Sequence, residues 1–327
     1  MGGSSLSSST LESLPTSLVT TPLSTGDIVG RALRIFRSNV KLIAKVLLPP
    51  TIILCVARVG LSLGASALAK GTMMSAASGI WAIVLLVSFI VLLIGGVNLY
   101  VRELGLVRIF CGYADNYESA HSFVKNKLWS LVAIVLLVGF AFLVIMIFWS
   151  IEIAVSAILL PMKGLMPVVG GLLMSFGLVG MILTLLFTSI VGMMAISSLA
   201  IEDSEVTNLL THCFSLISRS FGRSLLFLIL GHVTVSLLAY PLCVPIFIVL
   251  GVAMFMQGIT AAPHHTMELP LYYQVFTQIW ETLISMVLGP INYICYGLFY
   301  CDLRMRQEGT DLLARLDSLE AAKESAD

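Results

Sequence analysis

The chain has 327 residues, 58% of them hydrophobic and only 11% charged, and its formal net charge is zero. Soluble domains carry roughly 25% charged residues, so a water-soluble fold of this length has no way to bury so much apolar surface, and a lipid bilayer must act as solvent. With the charges confined to short stretches between apolar runs, a nucleic acid is excluded as partner, and membrane lipids and other membrane proteins are the partners to expect.

In chain order, residues 1–25 are rich in Ser and Thr, and neither Lys nor Arg occurs among them. They lack the basic n-region of a secretory signal and read as a disordered cytoplasmic tail. A first amphipathic segment follows, with Ile28, Ala32, Ile35, Phe36 and Val40 on one helical stripe and Arg31, Arg34, Ser38 and Lys41 opposite. Asp27 is its expected N-cap.

A membrane-crossing helix needs about 20 apolar residues. Runs of that kind cover 42–69 and 79–101, then 129–160 and 165–200, then 225–256 and 273–301, so six transmembrane helices are expected. Pro49 and Pro50, Pro241 and Pro245, and Pro290 mark expected kinks. Before the third span, Tyr117, Ala120, Val124 and Leu128 form a second amphipathic stripe, with Asp115 and Glu118 resembling a capping box. Val206, Leu209, Leu210, Cys213, Phe214, Ile217 and Phe221 form a third after Asp203.

The junctions Phe36-Arg37-Ser38-Asn39-Val40, Val124-Lys125-Asn126-Lys127-Leu128 and Ser218-Arg219-Ser220-Phe221-Gly222 read as degenerate copies of one motif. The fold expected is all-α and polytopic: three repeats of an interfacial amphipathic helix plus a two-helix hairpin, over residues 26–316. The competing reading is that any short cytoplasmic linker in such a protein is amphipathic and basic. A short tail, 317–327, completes the chain.

Of the eighteen basic residues, fifteen fall before the odd-numbered spans or after the sixth, Lys70 and Lys163 lie in opposite loops, and Arg58 lies inside a span. The positive-inside rule then puts both termini on the cytoplasmic side.

The end of the sixth span is the most distinctive stretch: Gly289-Pro290-Ile291, then Tyr300-Cys301-Asp302-Leu303-Arg304-Met305-Arg306-Gln307-Glu308-Gly309-Thr310-Asp311-Leu312. Together with Ala32-Leu33-Arg34-Ile35-Phe36-Arg37-Ser38-Asn39, it resembles the membrane domain attached to some bacterial glycerophosphoryl diester phosphodiesterases, which also occurs alone. The resemblance covers roughly 26–316 and rests on the two ends. It implies a bacterial cytoplasmic membrane. The catalytic barrel of those enzymes, about 250 residues of alternating strands and helices, is absent, so no phosphodiesterase activity is implied. Independently of the family, Asp302, Arg304, Arg306 and Glu308 alternate in sign at this junction. They either pair with the basic faces of the interfacial helices and lock that side of the bundle, or form a solvated helix end.

No hydrolase, kinase or P-loop pattern occurs, no Cys or His spacing suits a metal, and neither enzyme activity nor a cofactor is expected. His264 and His265, with Glu268 nearby, offer too few ligands. Arg58, Glu152 and Glu281 are the ionisable residues at membrane depth, where a charge costs at least about 2.5 kcal/mol. They either line a polar cavity, with Arg58 neutralising a carboxylate, or form a buried ion pair or snorkel to the outer interface. Arg31, Arg34, Lys125, Lys127, Arg219 and Arg223 are the expected contacts for lipid or partners at the inner surface. The leading expectation is thus a non-catalytic scaffold or lipid organiser; the alternative is a transporter or channel for a small solute or lipid.

Overall fold

The computed structural model describes residues 23–69, 76–163, 165–260 and 270–309. Expectations for residues 1–22, Lys70, His264, His265, Glu268, the side chain of Glu308 and the tail from 310 onward lie outside the described residues.

Among the described residues there are nine helices and no strand: α1 (Thr25–Ser38), α2 (Val40–Ala69), α3 (Ala76–Phe110), α4 (Tyr117–Asn126), α5 (Leu128–Leu159), α6 (Met166–Leu199), α7 (Val206–Arg219), α8 (Phe221–Thr260) and α9 (Leu271–Glu308). The order short, long, long occurs three times. Six helices, α2, α3, α5, α6, α8 and α9, are long and apolar enough to cross a membrane, and the protein is a multi-pass membrane protein.

Each short helix ends one residue before the span that follows it, at Asn39, Lys127 and Ser220. The break is local chemistry. Asn39 Nδ2 donates to the Ile35 carbonyl at 3.0 Å, while Lys127 and Ser220 leave helical ψ, at 17° and 37°. The short helices bury the expected stripes: Ile28, Ala32 and Ile35 in α1, Ala120 and Val124 in α4, Leu209, Cys213 and Ile217 in α7. Val40, Phe214 and Phe221 are exposed instead. Phe214 and Phe221 both pack against Phe187, with ring centroids 5.3 and 6.1 Å away.

The helix starts differ from expectation by a few residues. Ser24, not Asp27, caps α1: its Oγ accepts the Asp27 N–H at 3.1 Å, and Asp27 reaches back to the Ser24 N–H at 3.3 Å, a reciprocal capping box. Asn116, between Asp115 and Glu118, caps α4 by accepting the Ser119 N–H at 3.0 Å. At the other ends, α3 and α9 run past residues 101 and 301, to Phe110 and Glu308, where Gly112 and Gly309 with positive φ close them. Arg102, Glu103 and Arg108 are therefore helical rather than loop residues.

Pro49 and Pro50 lie inside α2, Pro241 and Pro245 inside α8, and Pro290 inside α9. Pro50 has no N–H to give to the Val46 carbonyl, and Arg102 supplies the missing donor, its Nη1 lying 2.9 Å from that oxygen.

The chain forms two compact units. One comprises residues up to 30, 107–230 and from 294 onward; the other comprises 31–106 and 231–293. In the first, α5 packs against α6 as an antiparallel hairpin, and α7 packs on α6. Gly180 lies where a Cβ would meet the Trp149 ring at 2.1 Å, and Trp149 Nε1 donates to Thr184 Oγ1 at 2.9 Å. Most large side chains of this hairpin are exposed, as a lipid-facing surface requires.

Candidate functional site

In the second unit, one face each of α2, α3 and α9 lines an open cavity of about 710 Å³. The lining residues follow helical periodicity: Leu54, Arg58, Leu61 and Ser62 on α2; Leu92, Gly96, Leu99, Tyr100 and Glu103 on α3; Gln278, Ser285, Gly289 and Tyr293 on α9. Four leucines make part of the wall apolar. Gly96 contributes space, because a Cβ there would meet nothing within 4 Å.

Arg58 donates from Nη1 to Thr282 Oγ1 at 3.4 Å and is half-buried. It forms no ion pair among the described residues, so the expected neutralisation by a neighbouring carboxylate does not occur. Glu281, one residue from Thr282, is exposed and does not line the cavity. The carboxylate that shares the cavity with Arg58 is Glu103, only 4% exposed. Its Oε1 lies over Gly289, where a Cβ would sit 2.7 Å away, so a larger residue at that level would displace the carboxyl group.

Thr282 and Gly289 are seven residues apart on α9, so the Arg58 and Glu103 levels differ by about 10 Å along the helix axis. Ser62, Gln278 and Ser285 lie nearer the Arg58 level. At the Glu103 level stand Tyr100, one turn before it on α3, and Tyr293, one turn after Gly289; their rings meet edge to face at 5.9 Å. Gln274 ties α9 to α2 above, accepting from Ser66 Oγ at 2.8 Å, and Trp280 Nε1 donates to the Leu242 carbonyl of α8 at 2.5 Å.

Apolar length alone does not place Glu103 inside a span, because the apolar run ends at residue 101. The stripe Leu92, Gly96, Leu99, Tyr100 carries on to Glu103 at helical spacing, and that continuation is the signal that places the acid inside the span.

In the first unit, the polar residues at the helix ends form two connected clusters. Asp302 is fully buried and accepts from the Leu23 N–H at 2.7 Å, Arg223 Nη2 at 2.6 Å and Arg306 Nε at 3.3 Å. The same two arginines donate to the Leu23 carbonyl, at 2.5 and 2.9 Å. Both backbone polar groups of Leu23 are thereby satisfied by the end of α9 and the start of α8.

The second cluster surrounds the C-terminal end of α6. Glu202 accepts from Arg304 Nη1 at 2.6 Å and from the Tyr300 hydroxyl at 2.5 Å. Lys127 donates to the Glu202 carbonyl at 2.5 Å and pairs with Asp203 at 2.7 Å, while Arg108 donates to the Ala200 carbonyl at 2.7 Å. Basic groups thus meet the unpaired carbonyls and negative dipole end of α6. Phe123 lies beneath both cations, 3.6 Å from Arg108 and 4.7 Å from Lys127. The hydrogen bond from Lys127 and its charge hold the Asp203 carboxyl below its ordinary value. Burial pushes the Cys213 thiol, under this cluster, up to about 12.

The six basic residues expected at the inner surface therefore divide. Lys127 and Arg223 are engaged in these clusters, Arg34, Lys125 and Arg219 are exposed, and Arg31 is half-buried. Of the C-terminal run, Asp302 pairs with Arg223, which lies in the first turn of α8 rather than on the basic face of an interfacial helix, and Arg304 meets Glu202. Glu152, on α5, places its Oε2 in the notch left by Gly177 on α6, with no hydrogen-bond partner for that buried atom. Its Oε1 lies 3.4 Å from Ser156 Oγ.

No family model, curated protein or solved structure matches the chain, so nothing beyond the two end motifs bears on the resemblance noted in the sequence.

Proposed function

We propose that this protein binds a small amphipathic molecule within the membrane, as a lipid- or solute-handling protein of the transporter class, without catalysis. The observation that carries the reading is the cavity between α2, α3 and α9. It is large enough for a drug-sized or lipid-sized ligand, lies within membrane-spanning segments, and presents Arg58 and Glu103 without an ion-pair partner among the described residues. Leaving two ionisable groups so placed is costly unless water or a ligand occupies the space.

Filling the cavity tests the proposal. Gly96→Leu introduces a side chain where a Cβ meets no atom, so the helix packing survives while the space is lost. Lipids and small molecules retained through purification in nanodiscs are compared by mass spectrometry. The expected outcome is one class of molecule lost from the variant; an unchanged set sinks the proposal.

A second reading, organisation of anionic lipid or partners at the inner surface, draws on Arg34, Lys125 and Arg219, which remain exposed. Replacing these three with Gln is expected to weaken binding of soluble phosphatidylinositol phosphates by the nanodisc-held protein, and unchanged binding removes this reading. The basic-residue bias supports an orientation with both termini cytoplasmic. The end motifs support kinship with the phosphodiesterase-associated membrane domain, and through it a bacterial inner membrane.

A further inference from the structure

We infer that the ligand of this cavity is a zwitterionic amphiphile, its anionic group held at Arg58 and its ammonium at Glu103; this rests on the cavity being a binding site. A guanidinium and a carboxyl group face one space about two helical turns apart, and neither has an ion-pair partner among the described residues. A purely anionic ligand would leave the Glu103 carboxyl group without an ionic partner, and a purely cationic one would leave the guanidinium unmatched. A molecule carrying both charges a few bonds apart matches both.

The surroundings of the two charges differ in the way this assignment requires. Near Arg58 the wall offers the Gln278 amide as a donor to an anion such as phosphate or carboxylate, while the Ser62 and Ser285 hydroxyls already donate to Gln274 Oε1 and the Thr282 carbonyl. Near Glu103 it offers the rings of Tyr100 and Tyr293, and a carboxyl group with aromatic rings close by suits an ammonium group. The leucines accept an alkyl chain. The shared chemistry, an ammonium linked to an anion, occurs both in a phospholipid headgroup and in a free water-soluble zwitterion.

The test holds the protein in nanodiscs of phosphatidylglycerol and measures binding of radiolabelled lysophosphatidylethanolamine. Unlabelled competitors are the same compound, lysophosphatidylglycerol (anion only), dodecylamine (cation only) and free phosphoethanolamine. The zwitterionic lyso-lipid is expected to compete about tenfold better than either single-charge amphiphile, which corresponds to about 1.4 kcal/mol. Glu103→Gln is expected to abolish its advantage over the anion, and Arg58→Gln its advantage over the cation. Gly289→Ala, whose methyl displaces the Glu103 carboxylate without changing charge, is expected to act like Glu103→Gln.

Competition by phosphoethanolamine equal to that of the lyso-lipid identifies a soluble zwitterion as the ligand; its failure to compete identifies a lipid. Binding that Gly96→Leu removes, but that does not distinguish the three amphiphiles, overturns the zwitterion assignment and leaves the cavity a binding site. If the wild-type protein binds none of the probes, the assignment falls, and the cavity reading then stands or falls on the molecules retained through purification. Should a charge variant fail to fold, the wild-type ranking alone decides.

Discussion

Asp302 ties three segments of the first unit together. Its carboxylate, with no exposed surface, holds Arg223, Arg306 and the N–H of Leu23. Asp302→Ala strands the guanidinium of Arg223, and breaking a buried pair of this kind costs roughly 3 kcal/mol or more. A clear drop in thermal stability in detergent is expected, larger than that of the double variant Arg223→Met with Asp302→Leu, in which no charge is stranded. Asp203 makes the opposite case, an exposed carboxylate bound to Lys127. Its value is lowered on folding, so its stabilising contribution is present above the unfolded value and disappears as the pH falls through the lowered one. The stability difference between wild type and Asp203→Asn is therefore expected at pH 7 and is expected to vanish at a pH well below about 4. Neither partner choice can be read from local pattern. Asp302 lies far in sequence from Leu23 and Arg223, and alternating charge at a helix end looks the same whether solvated or buried.

At the scale of the element, α2 shows how a helix tolerates proline in its interior. Pro50 orphans the Val46 carbonyl, and Arg102 of α3 supplies the donor, steadied by Asn98, whose Oδ1 accepts from Arg102 Nε at 3.1 Å. Arg102→Met is expected to destabilise the protein by about 1–3 kcal/mol, the cost of a buried unsatisfied acceptor. Adding Pro50→Ala restores an N–H to that carbonyl, so the double variant is expected to recover part of the loss in a thermal unfolding assay; simple additivity would refute the link. The helices themselves were legible in the sequence, since long apolar runs and amphipathic stripes depend only on local period. Where α3 and α9 end was not, because Arg102, Glu103 and Arg108 look like loop charges until their partners and the cavity are seen.

For the whole molecule, threefold recurrence of a short helix, a one-residue break and two long helices makes a multi-pass protein whose proposed orientation is directly testable. In a cysteine-free background, Lys163→Cys, between α5 and α6, is expected to react with a membrane-impermeant maleimide added outside intact cells. Lys125→Cys, on α4, is expected to react only after permeabilisation; the reverse labelling would invert the assignment. The sequence by itself determined the six spans and the short helix before each odd-numbered one, because each follows from apolar length and periodicity along one segment, whereas the one-residue breaks between them came from the structure. Only the tertiary structure decided that Glu103 rather than Glu281 shares a cavity with Arg58, and that Asp302 closes on Arg223 and Leu23. Those outcomes depend on which face of one helix meets which level of another, a relation between distant segments that no local pattern encodes.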